Sequence, residues 1–243
     1  MRCWKRNFFQ LLLIGLFVNS AHSSLRAETL IFHASRSGKQ TLDQGEGGGN
    51  PFASALIELL QRPSLTLQEL PALLRQITEK KSRGFQSPDS PASMTGENLT
   101  LVPAAKIEHR IALVLVVSDY RQSDGAQSLP GAKYDAERVA SALRQATFDT
   151  EIALDLGLDA MRARLAEFSH RSGNADVTMI YVTGHGVEVD GTVFLLPGDY
   201  PVKERNAALA KRALALSDIA LSPNAKHANL VFYAGCRDNP FGR

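Results

Sequence analysis

A chain of 243 residues, 44% of them hydrophobic and 21% charged, has the composition of a globular protein and the length for one large domain or two small ones. That excludes disordered and fibrous classes. The formal net charge is +2, and residues 1–23 hold three positive charges and no acids, so without them it falls to −1, which points to neither nucleic acid nor an anionic lipid surface as a partner.

Residues 1–23 read as an export signal. Arg2, Lys5 and Arg6 precede an apolar run over residues 8–18 broken only by Gln10, and Ala21-His22-Ser23 offers small residues at the cleavage spacing. The run is shorter than the roughly 20 residues that cross a bilayer. The expectation is therefore an exported protein, periplasmic or secreted, with a retained N-terminal membrane anchor as the alternative. Cleavage would remove Cys3 and leave Cys236 as the only cysteine. A single thiol forms no internal disulfide; it is either a reactive group or a small buried apolar one.

Residues 28–34 are apolar with β-branched and aromatic members and predict a short buried strand. The glycine-rich residues 35–50 lack the Gly-Lys-Ser/Thr of a phosphate loop and read as a flexible loop. Pro51 opens a helix that buries Phe52, Ala55, Leu56 and Leu59, and a second helix over residues 67–81 buries Leu70, Leu73, Leu74 and Ile77. Residues 86–94, rich in Ser and Pro, have the composition of a linker, and residues 99–102 form one brief strand.

From Arg110 strands and helices alternate. Residues 111–117 are a buried strand, residues 125–131 a loop, and Asp135 starts a helix with Val139, Ala142, Leu143 and Ala146 inward. A strand over 148–154 and a helix with Leu158, Met161, Leu165 and Phe168 follow, then a strand over 177–182. Asp190-Gly191 between alternating runs predicts a hairpin with a type I′ turn. Ser217 can cap a short helix ending near Pro223, and residues 229–234 form the last strand. This alternation implies a parallel α/β sheet, whose sites lie beyond the carboxyl ends of the strands. His185 and Cys236 both fall there.

Fifty-one residues separate His185, held between Gly184 and Gly186, from Cys236. Cysteine attacks as thiolate, and a histidine can take its proton and later deliver it to a leaving amine. The backbone N–H groups of Gly186 and Cys236 could bind the developing oxyanion. The other histidines, His22, His33, His109, His170 and His227, form no pattern of metal-ligand spacing with Asp, Glu or Cys, so neither a metal nor a cofactor is expected.

Tyr181-Val182-Thr183-Gly184-His185-Gly186, Phe194-Leu195-Leu196-Pro197-Gly198-Asp199 and Tyr233-Ala234-Gly235-Cys236-Arg237-Asp238 resemble the large-subunit half of bacterial caspase-like peptidases of the metacaspase and paracaspase type. Ser118-Asp119-Tyr120 and Leu129-Pro130-Gly131-Ala132 extend the resemblance, which covers residues 110–241. It implies a His185/Cys236 dyad, a peptide or protein substrate, and a three-layer α/β sandwich with a mostly parallel six-stranded sheet and helices on both faces. Residues 28–102 resemble the family's small-subunit half, which normally follows the cysteine, so the domain (24–243) reads as circularly permuted. On that reading 35–50 is a substrate-binding loop, residues 86–96 lead into the last strand at 99–102, and residues 103–109 close the link. The resemblance maps the acids that select a basic residue before the cleaved bond onto Asp135 and Asp43; the third, two residues before the cysteine, is Ala234. Two functions follow: an endopeptidase cleaving after Arg or Lys, or a catalytically inactive caspase-like binding module. Asp135 has a plain alternative as a helix cap.

Overall fold

The computed structural model describes residues 27–45, 47–92, 99–102 and 108–242. The expected signal at 1–23, Cys3, the stretch from Ser93 to Gly96 and most of the 103–109 link lie outside the described residues.

The strands are β1 (Thr29–His33), β2 (Arg110–Val116), β3 (Asp149–Leu154), β4 (Val177–Thr183), β5 (Gly186–Val189), β6 (Thr192–Leu195), β7 (Leu214–Ala215) and β8 (Ala228–Tyr233). Five of them make one sheet, in the order β1-β8-β4-β2-β3, with every pairing parallel. β2, β4 and β8 are buried at every position, which is why they read as mostly apolar stretches rather than alternating ones.

The helices are α1 (Pro51–Leu60), α2 (Leu70–Lys81), α3 (Pro130–Gln145), α4 (Leu158–Ser172), α5 (Leu209–Arg212) and α6 (Leu216–Leu221), and Val202–Ala208 is a 3-10 segment. One core lies between the sheet and α1, α2 and α3, built on Leu30, Phe32, Val114, Tyr181, Leu230 and Phe232. The opposite face presents Leu113, Leu115, Val182, Val231 and Tyr233 to α4, α6 and a small β5-β6-β7 sheet. The successive residues of each strand thus serve the two cores in turn. The result is the three-layer α/β sandwich.

β1 comes from the first fifty residues yet forms the edge of a sheet otherwise drawn from residues 110–233. Leu30 lies opposite Leu230, Ile31 opposite Val231 and Phe32 opposite Phe232, and the two phenyl rings stack at 4.8 Å. Helix α1 is started by Asn50, whose side chain accepts from the Phe52 amide at 2.8 Å, with Pro51 at a position where no N–H is needed.

The main sheet has five strands among the described residues where six were expected. Residues 99–102 do not join it. Leu67 and Leu101 donate backbone N–H groups to Leu99 and Leu65 carbonyls at 2.9 and 2.7 Å, which commits the segment to residues 64–67. Arg110 fixes it from the other side. Its guanidinium, buried and paired with Glu108, donates to the Leu101 and Thr100 carbonyls at 2.6 and 2.9 Å, and an enclosed cation requires such acceptors. On the free side of β1, His33 and Asp89 make a single antiparallel bridge.

Candidate active site

β4 and β8 are neighbours, with Val182 opposite Tyr233. His185 and Cys236 each stand three residues beyond that pair, so the register sets them at the same height on adjacent strand ends. Parallel strands lie about 4.8 Å apart, so the two chains leave the sheet side by side.

Gly184 has φ +154, and a Cβ there would stand 2.8 Å from the Leu195 side chain and 2.9 Å from the Tyr120 hydroxyl. The glycine before His185 is therefore required by close approach. The His185 amide donates to the Tyr120 hydroxyl at 2.8 Å, and that hydroxyl donates in turn to the Leu196 carbonyl at 2.9 Å. The imidazole stands edge-on to the Tyr120 ring, centroids 4.4 Å apart. Its Nε2 is 2.7 Å from the Gln127 carbonyl, which places the ring proton on Nε2 and leaves Nδ1 as the basic nitrogen.

Cys236 is half-buried and unpaired. Its polar neighbour is Thr41, whose amide nitrogen lies 3.4 Å and whose hydroxyl lies 3.5 Å from Sγ. Among the described residues no hydrogen bond joins the His185 ring to the sulfur. The structure thus brings the two residues to adjacent strand ends, with the ring held by Gln127 and the thiol by Thr41.

The backbone around Gly186 is equally constrained. Leu196 donates to the His185 carbonyl at 2.9 Å, so His185 and Leu196 form a hydrogen-bonded antiparallel pair and Gly186–Leu195 the following non-bonded one. Gly186 then turns its N–H away from β6, to the side on which Glu188 two residues later donates to Asp238 at 3.2 Å. A Cβ on Gly186 would lie 2.4 Å from the Cys236 carbonyl. Both nominated oxyanion donors, Gly186 and Cys236, therefore belong to one tight junction.

Arg237 locks that junction. Its backbone pairs with the 38–39 segment, donating to the Lys39 carbonyl at 2.9 Å and accepting from Gly38 at 3.0 Å. Its side chain, largely buried, meets Glu188 at 2.7 Å, Asp89 at 3.1 Å and the Ser35 carbonyl at 3.3 Å. One guanidinium thus ties the cysteine loop to β5 and to two segments from the first ninety residues. Tyr120 and Arg237 stood out in the sequence only as members of the motifs that carry the resemblance, with no role of their own, and Thr41 carried no signal. Arg237 is a cation directly after the candidate nucleophile, whereas the contacts of Tyr120 and Thr41 with the dyad residues run to partners 65 and 195 residues away.

The two acids sit behind the junction. Asp43 accepts from the Gly131 and Ala132 amides at 2.9 and 2.8 Å, the free N–H groups of the first turn of α3. Asp135 is fully enclosed inside α3, five residues past its start, so it is no helix cap. It accepts from the Asn50 amide and from Arg138, each at 2.8 Å. Burial raises its pKa to about 7 against the opposing pull of those two donors. Asn50 links the acids to the cysteine loop through a 3.4 Å contact from its side-chain amide to the Ala234 carbonyl. Among the described residues no group of three or more His, Cys, Asp or Glu side chains is placed to hold a metal ion.

A parallel α/β sandwich with helices on both faces, presenting a histidine and a free cysteine beyond the carboxyl ends of the neighbouring strands β4 and β8, has a caspase-like fold. The model of the caspase domain family, Peptidase_C14, matches residues 109–242. The chain belongs to that family, which supports a cysteine-peptidase type of function and a peptide or protein substrate. Comparison with curated proteins gave no match.

Proposed function

We propose that this chain is a cysteine endopeptidase acting through Cys236 and His185. The observation that carries the reading is the register of β4 and β8, which sets both residues three positions beyond one cross-strand pair. The Cys236 thiol gives its proton to the imidazole, and the thiolate attacks the peptide carbonyl. The oxyanion forms against the N–H groups of Gly186 and Cys236. The imidazolium protonates the departing amine, and water then hydrolyses the thioester by the same route.

The proposed preference for Arg or Lys before the cleaved bond rests on the acids behind the junction. Arg138 and the Asn50 amide already occupy the enclosed Asp135 carboxyl, and Ala234 contributes no carboxylate, so Asp43, held by two backbone amides and by no cation among the described residues, is the acid left to favour a basic side chain. Fluorogenic peptides with Arg or Lys before the bond should be cleaved faster than matched Asp or Leu peptides. Cys236→Ala and His185→Ala should each abolish cleavage, and turnover that survives either change sinks the proposal.

A caspase-like binding module without activity is the second reading, favoured by Ala234 and by the engagement of His185 with Gln127. It requires that no peptide be cleaved and that Cys236 resist alkylation near neutral pH. The circular permutation is likewise our reading, supported by β1 pairing in parallel beside β8. A reordered gene placing residues 28–102 after 110–243 should yield a protein with the same fold. Export, proposed from residues 1–23, predicts a mature N-terminus just after Ser23 in the exported fraction.

A further inference from the structure

We infer that Thr41 is a further catalytic residue: its hydroxyl and amide stabilise the Cys236 thiolate, and the hydroxyl acts as a rotor that follows the charge on sulfur. This rests on the proposed use of Cys236 as a nucleophile, although its test reads the thiol without any peptide. Thr41 offers the sulfur both kinds of partner. For the thiol, the Thr41 carbonyl lies at 3.9 Å as a long acceptor. For the thiolate, the amide N–H at 3.4 Å and the hydroxyl at 3.5 Å are donors.

The hydroxyl has one hydrogen and two acceptors within reach, Sγ and the Ala234 carbonyl at 3.3 Å. While sulfur keeps its proton, the carbonyl is the better acceptor. Once the proton has passed to the base and the electron pair stays on sulfur, the charge-assisted bond to sulfur is favoured. The Ala234 carbonyl is not orphaned by the rotation, because it also accepts from the Ala234-facing amide of Asn50. The other titratable groups that face the sulfur do not compete for this role. The phenols of Tyr120 and Tyr233 are raised by burial, Arg237 is paired with Glu188, and the His185 ring donates to Gln127.

Thr41→Val removes the hydroxyl and keeps the shape and the amide, whereas Thr41→Ser keeps the hydroxyl. The probe is 4,4′-dithiodipyridine, which exchanges with the thiolate to give a mixed disulfide and releases thiopyridone, with Cys236→Ala as the blank. A tenfold lower thiolate fraction is partly offset by the greater nucleophilicity of the more basic sulfur, so Thr41→Val should react about threefold more slowly near pH 7. At a pH where both thiols are ionised the order should reverse, the variant reacting about threefold faster. Thr41→Ser should follow the parent protein at both ends. Equal rates near pH 7, a deficit that persists unchanged at high pH, or a serine variant as slow as the valine one would each overturn the inference. A parent protein that cleaves no peptide while the crossing is intact would refute the peptidase reading and leave Thr41's role on the thiolate standing.

Discussion

Tyr120 is the single side chain whose loss should separate His185 from the fold most cleanly. Its hydroxyl is buried and makes two hydrogen bonds, accepting from the His185 amide at 2.8 Å and donating to the Leu196 carbonyl at 2.9 Å. Tyr120→Phe preserves the ring, and with it the edge-on contact to the imidazole, but strands one donor and one acceptor. A hydrogen bond contributes about 1 kcal/mol net, and a buried group left without a partner costs about 1–3 kcal/mol, so the expected loss is about 2–3 kcal/mol. For a domain of this size that corresponds to a fall in Tm of roughly 4–12 °C. Tyr200→Phe is the internal comparison, because that phenol makes one bond, to the Arg205 carbonyl at 2.6 Å, and lies apart from the dyad. Urea midpoints at unchanged slope, with thermal scans in parallel, measure both. The reasoning is refuted if Tyr120→Phe loses no more stability than Tyr200→Phe.

Gly186→Ala should abolish any activity, because its Cβ would fall inside contact distance of the Tyr233 hydroxyl and within 2.4 Å of the Cys236 carbonyl; a variant that retains full hydrolysis contradicts the junction described. Arg237→Met should cost about 3–5 kcal/mol by leaving Glu188 buried beside no cation, and Arg237→Met combined with Glu188→Leu should be less destabilised than Arg237→Met alone, as read from urea midpoints. Asp135 binds a proton in the folded state up to about pH 7, whereas its ordinary value is 3.8. Between those values the folded chain holds the extra proton, so the contribution of this carboxyl to stability falls as pH rises from about 4 to about 7. Asp135→Asn should therefore gain on the parent protein steadily across that window, and a difference independent of pH would refute the assignment.

The parts legible in the sequence are those fixed by neighbours in the chain. The apolar runs over 111–116 in β2 and 230–233 in β8 announce strands enclosed on both faces. Asp190 and Gly191, at φ +49 and +77, adopt the turn that their identities favour. What escaped was set from a distance. Helix α3 begins at Pro130 rather than Asp135 because Asp43, 88 residues earlier, satisfies the first-turn amides. Ser217, expected as a cap, lies inside α6, and Ala215 precedes that helix. Residues 99–102 have the composition of a strand but receive their partners from 64–67 and Arg110. No local pattern records those pairings.

The same distinction governs the candidate site. His185 and Cys236 stood out because glycine-flanked polar residues at the ends of apolar strands are locally conspicuous. The atoms that meet the cysteine come from residue 41, and those that hold its loop come from residues 35, 39, 89 and 188. These contacts follow from one feature of topology, the parallel docking of β1 against β8, which carries the chain leaving His33 over the chain leaving Tyr233. The Ala34 amide donates to the Tyr233 carbonyl at 2.9 Å and continues the ladder past the strand ends. Any perturbation that peels β1 from the edge must therefore also withdraw Thr41 from the sulfur. β1 is an edge strand, paired with β8 along one side and held on the other, among the described residues, only by the His33–Asp89 bridge, so the state of the thiol depends on a segment at the margin of the sheet.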